Sequence, residues 1–155
     1  MDIRQALASQ LIVHGLTPDQ ITTVASLAKP ARFMRGELLA RLGARDADLF
    51  VILEGEVNVL TADGDQLGEI KAGGVLGEVA FVDGGPRVAN YVAQGFVVAL
   101  QFPARELRAL MNQDRNIGFV MLANLSRLLA ARLRVASDRL DLLMDLEQDV
   151  WTGGI

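Results

Sequence analysis

Residues 73–90 read Gly73-Gly74-Val75-Leu76-Gly77-Glu78-Val79-Ala80-Phe81-Val82-Asp83-Gly84-Gly85-Pro86-Arg87-Val88-Ala89-Asn90. Glycines let backbone come close to a ligand and take up positive φ. The run from Glu78 to Val82 has the length of a single helical turn, whose free N–H groups attract an anion. Arg87 can then hold a phosphate as a charged fork. Glu78 cannot share that task, because two anions repel. A carboxylate beside a phosphate accepts hydrogen bonds from a sugar hydroxyl instead. The residues together point to a small phosphorylated sugar compound.

Two common phosphate motifs are excluded. A Walker loop needs Gly-Lys followed by Ser or Thr, and no such triplet occurs. The dinucleotide fingerprint needs Gly-x-Gly-x-x-Gly, and Gly73-Gly74-Val75-Leu76-Gly77 lacks that spacing. The stretch does resemble the phosphate-binding cassette of cyclic nucleotide-binding domains, Gly-Glu-(Leu/Ile)-Ala, a short loop, then Pro-Arg-x-Ala. Gly77-Glu78-Val79-Ala80 and Pro86-Arg87-Val88-Ala89 fill both halves. The resemblance implies that the phosphate sits on Arg87 and on the N–H groups of Ala80 and Val88, and the ribose 2′-hydroxyl on Glu78. At Val88, cGMP-selective relatives use a hydroxyl to reach the guanine amino group. Valine has none, which points to cAMP rather than cGMP. Arg87, read as a ligand group and not a core residue, is expected to be replaceable without loss of the fold.

Composition sets the outer limits. The 155 residues suit one domain with an added helix, and 51% hydrophobic content is ample for a core. A formal net charge of −4 argues against a nucleic-acid partner. Cysteine is absent, which excludes disulfides and thiolate catalysis. The N-terminus has no signal pattern, and no apolar run approaches membrane-spanning length. A cytoplasmic protein without a membrane partner is expected.

Asp2 to Val13 carries apolar residues at Ile3, Leu7, Leu11 and Ile12, close to helical spacing, with Gly15 as a stop. Thr17-Pro18-Asp19-Gln20 then restarts a helix, with Thr17 as N-cap and Gln20 completing a capping box. Ile21, Val24, Ala25 and Ala28 form its apolar face, and Lys29-Pro30 is expected to end it. From Ala31 to Phe102 short apolar runs (38–42, 49–53, 57–61, 97–100) alternate with glycine, and eleven of the fifteen glycines fall between Gly36 and Gly95. Asp63-Gly64 marks a hairpin turn. The expectation is an α+β, mainly β fold: an antiparallel β-roll or jelly roll flanked by N-terminal helices and a long C-terminal helix. The expected division is 1–15 as an N-terminal helix, 16–114 as the β-roll, 115–147 as the long helix and 148–155 as a tail.

The long helix is read from about Asn116 to Glu147, since neither proline nor a late glycine interrupts it. Leu122, Leu125, Leu129, Ala136, Leu140 and Leu143 fall near a 3-4 spacing, with Arg132 breaking the stripe, and Ile117, Met121, Leu128 and Val135 form a second one. One face can pack on the β-roll, which leaves the other for a homodimer seam. Residues 131–140 are similar to the dimer helix of bacterial cyclic-AMP receptor regulators. Those carry a Thr-Ser pair that reaches the adenine; here it reads Ala136-Ser137, so only Ser137 keeps a hydroxyl. No room is expected for the helix-turn-helix domain that follows in such regulators.

Other chemistries fare poorly. Metal enzymes of the jelly-roll type need clustered histidines, and His14 is the one histidine. Arg127, Arg132, Arg134 and Arg139, near Asp138, Asp141 and Asp145, read as a solvated or salt-bridged helix face. The expected function is a cAMP- or cGMP-binding sensor, with no further cofactor and no catalytic activity, signalling through its C-terminal helix to an unidentified partner protein. The alternative is a ligand-free dimeric interaction domain on the same fold.

Overall fold

The computed structural model describes residues 1–152, with side chains through residue 148. Two short N-terminal elements lead in: α1 (Ile3–Ala8) and, after a break, a 3-10 turn at Leu11–Val13. The expected continuous helix over Asp2–Val13 is therefore a correction. Gln10 takes extended backbone (φ −85°, ψ 148°), which turns Ile12 and Val13 into the core. The carbonyls of Ile12 and His14 each accept a hydrogen bond from the buried Asn124 amide, at 3.1 and 2.9 Å.

Helix α2 (Pro18–Ala25) starts as expected. Gln20 N–H donates to Thr17 Oγ1 and Thr17 N–H to Gln20 Oε1, at 3.2 and 3.0 Å. It stops at Ala25, before Lys29-Pro30, which instead opens strand β1 (Lys29–Phe33). Proline is tolerated there because β1 is an edge strand, where a missing N–H interrupts no central ladder.

Seven further strands follow: β2 (Leu38–Ala40), β3 (Leu49–Glu54), β4 (Glu56–Leu60), β5 (Gln66–Lys71), β6 (Val75–Leu76), β7 (Asn90–Ala93) and β8 (Val97–Phe102). They form two antiparallel four-stranded sheets, ordered β1-β8-β3-β6 and β2-β7-β4-β5. The Asp63-Gly64 turn joins β4 to β5, and Gly64 takes φ +88°.

The near-continuous apolar runs of β3 and β8 follow from burial on both faces. Leu49, Val51, Leu100 and Phe102 point to the helices, while Phe50, Ile52, Val97 and Ala99 point to the other sheet. Helix α3 (Glu78–Asp83) interrupts the roll between β6 and β7, and α4 (Ala104–Gln113) and α5 (Arg115–Thr152) close the chain. At 38 residues α5 is about 57 Å long.

The two stripes on α5 need one reassignment. Leu125 is fully buried with Ile117 and Met121 in the helix-side core, so it belongs to the face that covers the β-roll and not to a free seam. Helical geometry accounts for this: residue 125 lies about 40° from Met121 around the axis and about 60° from Leu122. Val135, read in the second stripe with Ile117 and Met121, is exposed.

Candidate functional site

The two halves of the cassette meet in space. Gly77 precedes α3 with φ +91°, and a Cβ built on it would lie 2.5 Å from Arg87 Nη1 and 2.6 Å from the Asp48 carbonyl oxygen. Only glycine admits this backbone and this close approach. Helix α3 begins at Glu78 and stops at Gly84 (φ +71°), whose N–H donates to Ala80 O. Gly85 N–H donates to Asp83 Oδ1 at 2.7 Å, which sets the loop to Pro86. Arg87 is then pinned by its backbone: its N–H donates to Ala44 O at 2.8 Å, and its carbonyl accepts from Gly43 N–H at 2.9 Å.

The Arg87 side chain is buried, and it is not simply a ligand group as the sequence implied. Nη2 donates to Asp46 Oδ2 at 2.8 Å and to Asp48 O at 2.9 Å. The Asp48 carboxylate in turn accepts from Gln101 Nε2 at 2.8 Å and from Ala104 N–H at 2.9 Å, where α4 begins. Arg87 therefore joins the cassette, β3 and α4. The premise that Arg87 is not a core residue is corrected, since its side chain is 2% exposed.

Three buried polar atoms have no partner among the described residues: Nε and Nη1 of Arg87 and Oε2 of Glu78. Leaving such groups unpaired costs about 1–3 kcal/mol each. Two donors and one acceptor thus stand open on the cassette.

Glu78 is buried, and its Oε1 forms an ion pair with Arg132 of α5. Arg132 also donates to the Val75 carbonyl. Arg139, two turns on, donates to the Leu67 carbonyl at 2.7 Å. Helix α5 is thus fastened over the cassette at one point and over the β4–β5 hairpin at another. Of the expected solvated or salt-bridged helix face, Arg132 is salt-bridged, but to Glu78 of the cassette rather than to a helix aspartate, and Arg139 reaches the Leu67 carbonyl. The visible signal for the Glu78 contact was Arg132 breaking an otherwise apolar stripe. Asp46, Asp48 and Tyr91 gave no sign in the sequence.

The remaining cassette residues differ in accessibility. Ala80 and Ala89 are buried, Val79 is half-buried, and Pro86 and Val88 are exposed. Ser137 is exposed on α5 between the two fastened arginines, and among the described residues no hydrogen bond ties it to the cassette. Arg108 of α4 holds the far end of α3, donating to Phe81 O at 2.7 Å with its guanidinium 5.1 Å from the Phe81 ring centre.

Burial raises the Tyr91 phenol above its ordinary value, as does the Glu78 carboxylate, while Arg132 and Arg87 pull it down. A phenol whose folded-state pKa is raised contributes stability that is complete below about pH 10 and lost as the pH climbs through the folded value. Tyr91 is the one tyrosine in the chain, so its ultraviolet titration is unambiguous. The expected result is a higher tyrosinate midpoint in native protein than in denaturant; coincident midpoints would contradict this environment.

No helix among the described residues is long and apolar enough to cross a membrane. The family model for the cyclic nucleotide-binding domain matches residues 30–114. Glutaminase 1 of Bradyrhizobium diazoefficiens is 28% identical over 137 residues, covering 88% of this chain and 22% of the relative. This chain spans less than a quarter of the length of that relative and of glutaminase 2 from the same organism, at 22% and 23%. The catabolite activator protein of Thermus thermophilus superposes with a TM-score of 0.74 at 27% identity, covering 87% of this chain and 63% of that one. A cyclic nucleotide-binding domain from Methylobacillus flagellatus gives 0.77 at 26%, covering 88% and 79%. The family match extends over more than half the chain, from β1 to the end of α4, and contains both halves of the cassette. This chain belongs to the cyclic nucleotide-binding domain family.

Proposed function

We propose that the protein is a cyclic nucleotide sensor, with cAMP its ligand in preference to cGMP, and that it reports occupancy through α5 to a partner protein. The observation that carries this reading is the set of open polar atoms on the cassette: two Arg87 donors and one Glu78 acceptor. A cyclic phosphate supplies anionic acceptors for the first, and a ribose 2′-hydroxyl supplies a donor for the second. The N–H groups of Ala80 and Val88 complete the phosphate cradle, and the adenine reaches toward Ser137 of this chain or of a second copy. The exposed Val88 side chain offers a guanine amino group no hydroxyl.

Transmission follows from the Arg132–Glu78 ion pair. A ligand hydroxyl on Glu78 changes what that carboxylate offers Arg132, and this biases how α5 packs on the roll. Calorimetric titration with cAMP and cGMP tests the reading. Binding of cAMP more tightly than cGMP is expected; no heat and no thermal shift with either nucleotide would favour a ligand-free interaction domain.

The second part of the proposal is a homodimer through α5. Its exposed apolar residues Phe119, Leu122, Leu133, Leu140 and Leu143 fall on one 3-4 stripe, which Ser126, Leu129 and Ala136 complete. A second copy of the same helix fits such a stripe.

A further inference from the structure

Helix α3 carries Glu78 and Ala80 of the cassette, yet little within it fixes its direction. It has six residues, and a glycine at positive φ stands at each end, Gly77 at +91° and Gly84 at +71°. So short a helix is marginal by itself, and glycine leaves the flanking backbone free to swivel. Burial of Phe81 in the helix-side core sets its depth, but hydrophobic contact is non-directional. Its orientation therefore rests on polar ties. Among the described residues Arg132 ties Glu78 at the start, and Arg108 ties the last turn.

Among the described residues no carboxylate pairs with Arg108. Its half-buried guanidinium is committed to α3. Nη2 donates to Phe81 O at 2.7 Å and lies 3.4 Å from Ala80 O, and the group sits 5.1 Å from the Phe81 ring centre. A cation is favoured at a helix C-terminus by the dipole and by carbonyls without intrahelical partners. Gly85 N–H, which would reach Phe81 O in a longer helix, goes to Asp83 Oδ1. Arg108 serves that carbonyl instead.

Helix α4 also touches the other half of the cassette. Ala104 N–H donates to the Asp48 carboxylate, and the Asp48 carbonyl accepts from Arg87 Nη2, both at 2.9 Å. Ala104 and Arg108 are four residues apart, so they lie one turn apart on one face of α4. A single turn of helix thus spaces Arg87 from α3.

We propose that Arg108 is a positioning residue for the ligand's phosphate: it holds α3 so that the Ala80 N–H meets the same phosphate that Arg87 binds, with the first turn of α4 as the spacer. This rests on the nucleotide reading above. Arg108 does not touch the ligand; it acts through the Phe81 and Ala80 carbonyls. Peptide units of a helix are aligned along its axis, so a group that holds the carbonyls at one end also aims the N–H groups at the other.

The test is calorimetric titration of wild type, Arg108→Met and Arg108→Lys with cAMP and with its two phosphorothioates, Sp-cAMPS and Rp-cAMPS. Each phosphorothioate replaces one exocyclic phosphate oxygen with sulfur, a weaker acceptor. Arg108→Met keeps an apolar stem against Phe81 and is a good helix former. It is expected to bind cAMP about tenfold more weakly, the worth of one charge-assisted hydrogen bond. The diastereomer whose sulfur faces Ala80 has already lost that bond and should lose least. The ratio of the two diastereomers' affinities should therefore change by about threefold. Arg108→Lys keeps a cation for the carbonyls and the ring, and should bind cAMP within about threefold of wild type. Equal losses for all three ligands, an unchanged cAMP affinity, or a lysine variant as weak as the methionine one would overturn the assignment while leaving nucleotide binding intact. Should Arg108→Met unfold, Arg108→Gln carries the same comparison with a shorter stem and a neutral donor. A wild-type protein that binds neither cAMP nor cGMP would overturn the nucleotide reading, and this inference with it.

Discussion

Arg87→Ala is expected to weaken cAMP binding at least tenfold and to lower the melting temperature in the same variant. The first effect follows from losing charge-assisted contacts to phosphate, worth about 1.5–3 kcal/mol, where each 1.4 kcal/mol is a factor of about ten. The second follows from burial: Arg87 is 2% exposed and bridges Asp46 to the Asp48 carbonyl. Breaking a fully buried pair costs about 3–5 kcal/mol. Asp46 is half exposed, so water can take over its carboxylate, and a loss of about 1–3 kcal/mol is the better expectation. For a domain of this size that lowers the melting temperature by about 2–4 °C per kcal/mol.

Calorimetry and thermal melts on the same samples separate the two roles. Arg87→Lys keeps a charge near Asp46 but lacks the planar fork, so it should recover stability more fully than affinity. Wild-type affinity in Arg87→Ala would remove the phosphate assignment. An unchanged melting temperature would remove the structural one.

The second large effect concerns assembly. Light scattering at micromolar concentration is expected to give twice the chain mass of 16.7 kDa. Leu133, Leu140 and Leu143 are exposed in the single chain, and burying each is worth about 1.5–3 kcal/mol before association costs are subtracted. Leu140→Asp/Leu143→Asp should produce a folded monomer, because neither residue packs against the β-roll. Leu125→Asp should behave differently. It places a charge in the helix-side core, so loss of folding is expected and not clean dissociation. A wild-type mass near 16.7 kDa would refute the dimer. A double variant that stays dimeric would move the seam to another face.

Local chemistry made much of this protein legible in advance. The capping box at Thr17-Gln20, the turn at Asp63-Gly64 and the glycine-punctuated apolar runs each act within a few residues, so pattern alone identified them. The cassette was legible for the same reason: Gly77, Glu78 and Arg87 lie within eleven residues, and glycine at Gly77 is dictated by its own backbone angle. The absence of proline and of a late glycine made α5 readable as one long helix, although it reaches Thr152, past the expected end near Glu147.

What only the tertiary structure decided are contacts between residues far apart in the chain. Asp46 meets Arg87 across 41 positions, and Arg132 reaches the Val75 carbonyl across 57. Nothing in the neighbourhood of either residue encodes such a partner. Periodicity could say that α5 has two apolar stripes, but Leu125 lies between them. Only packing against Ile117, Met121 and the β-roll assigned it inward. The same holds for Tyr91, whose neighbours in sequence suggest an ordinary strand residue. Sheet register sets it beside Val59 and in the field of Glu78, because cross-strand pairing joins segments that the sequence keeps more than ten residues apart.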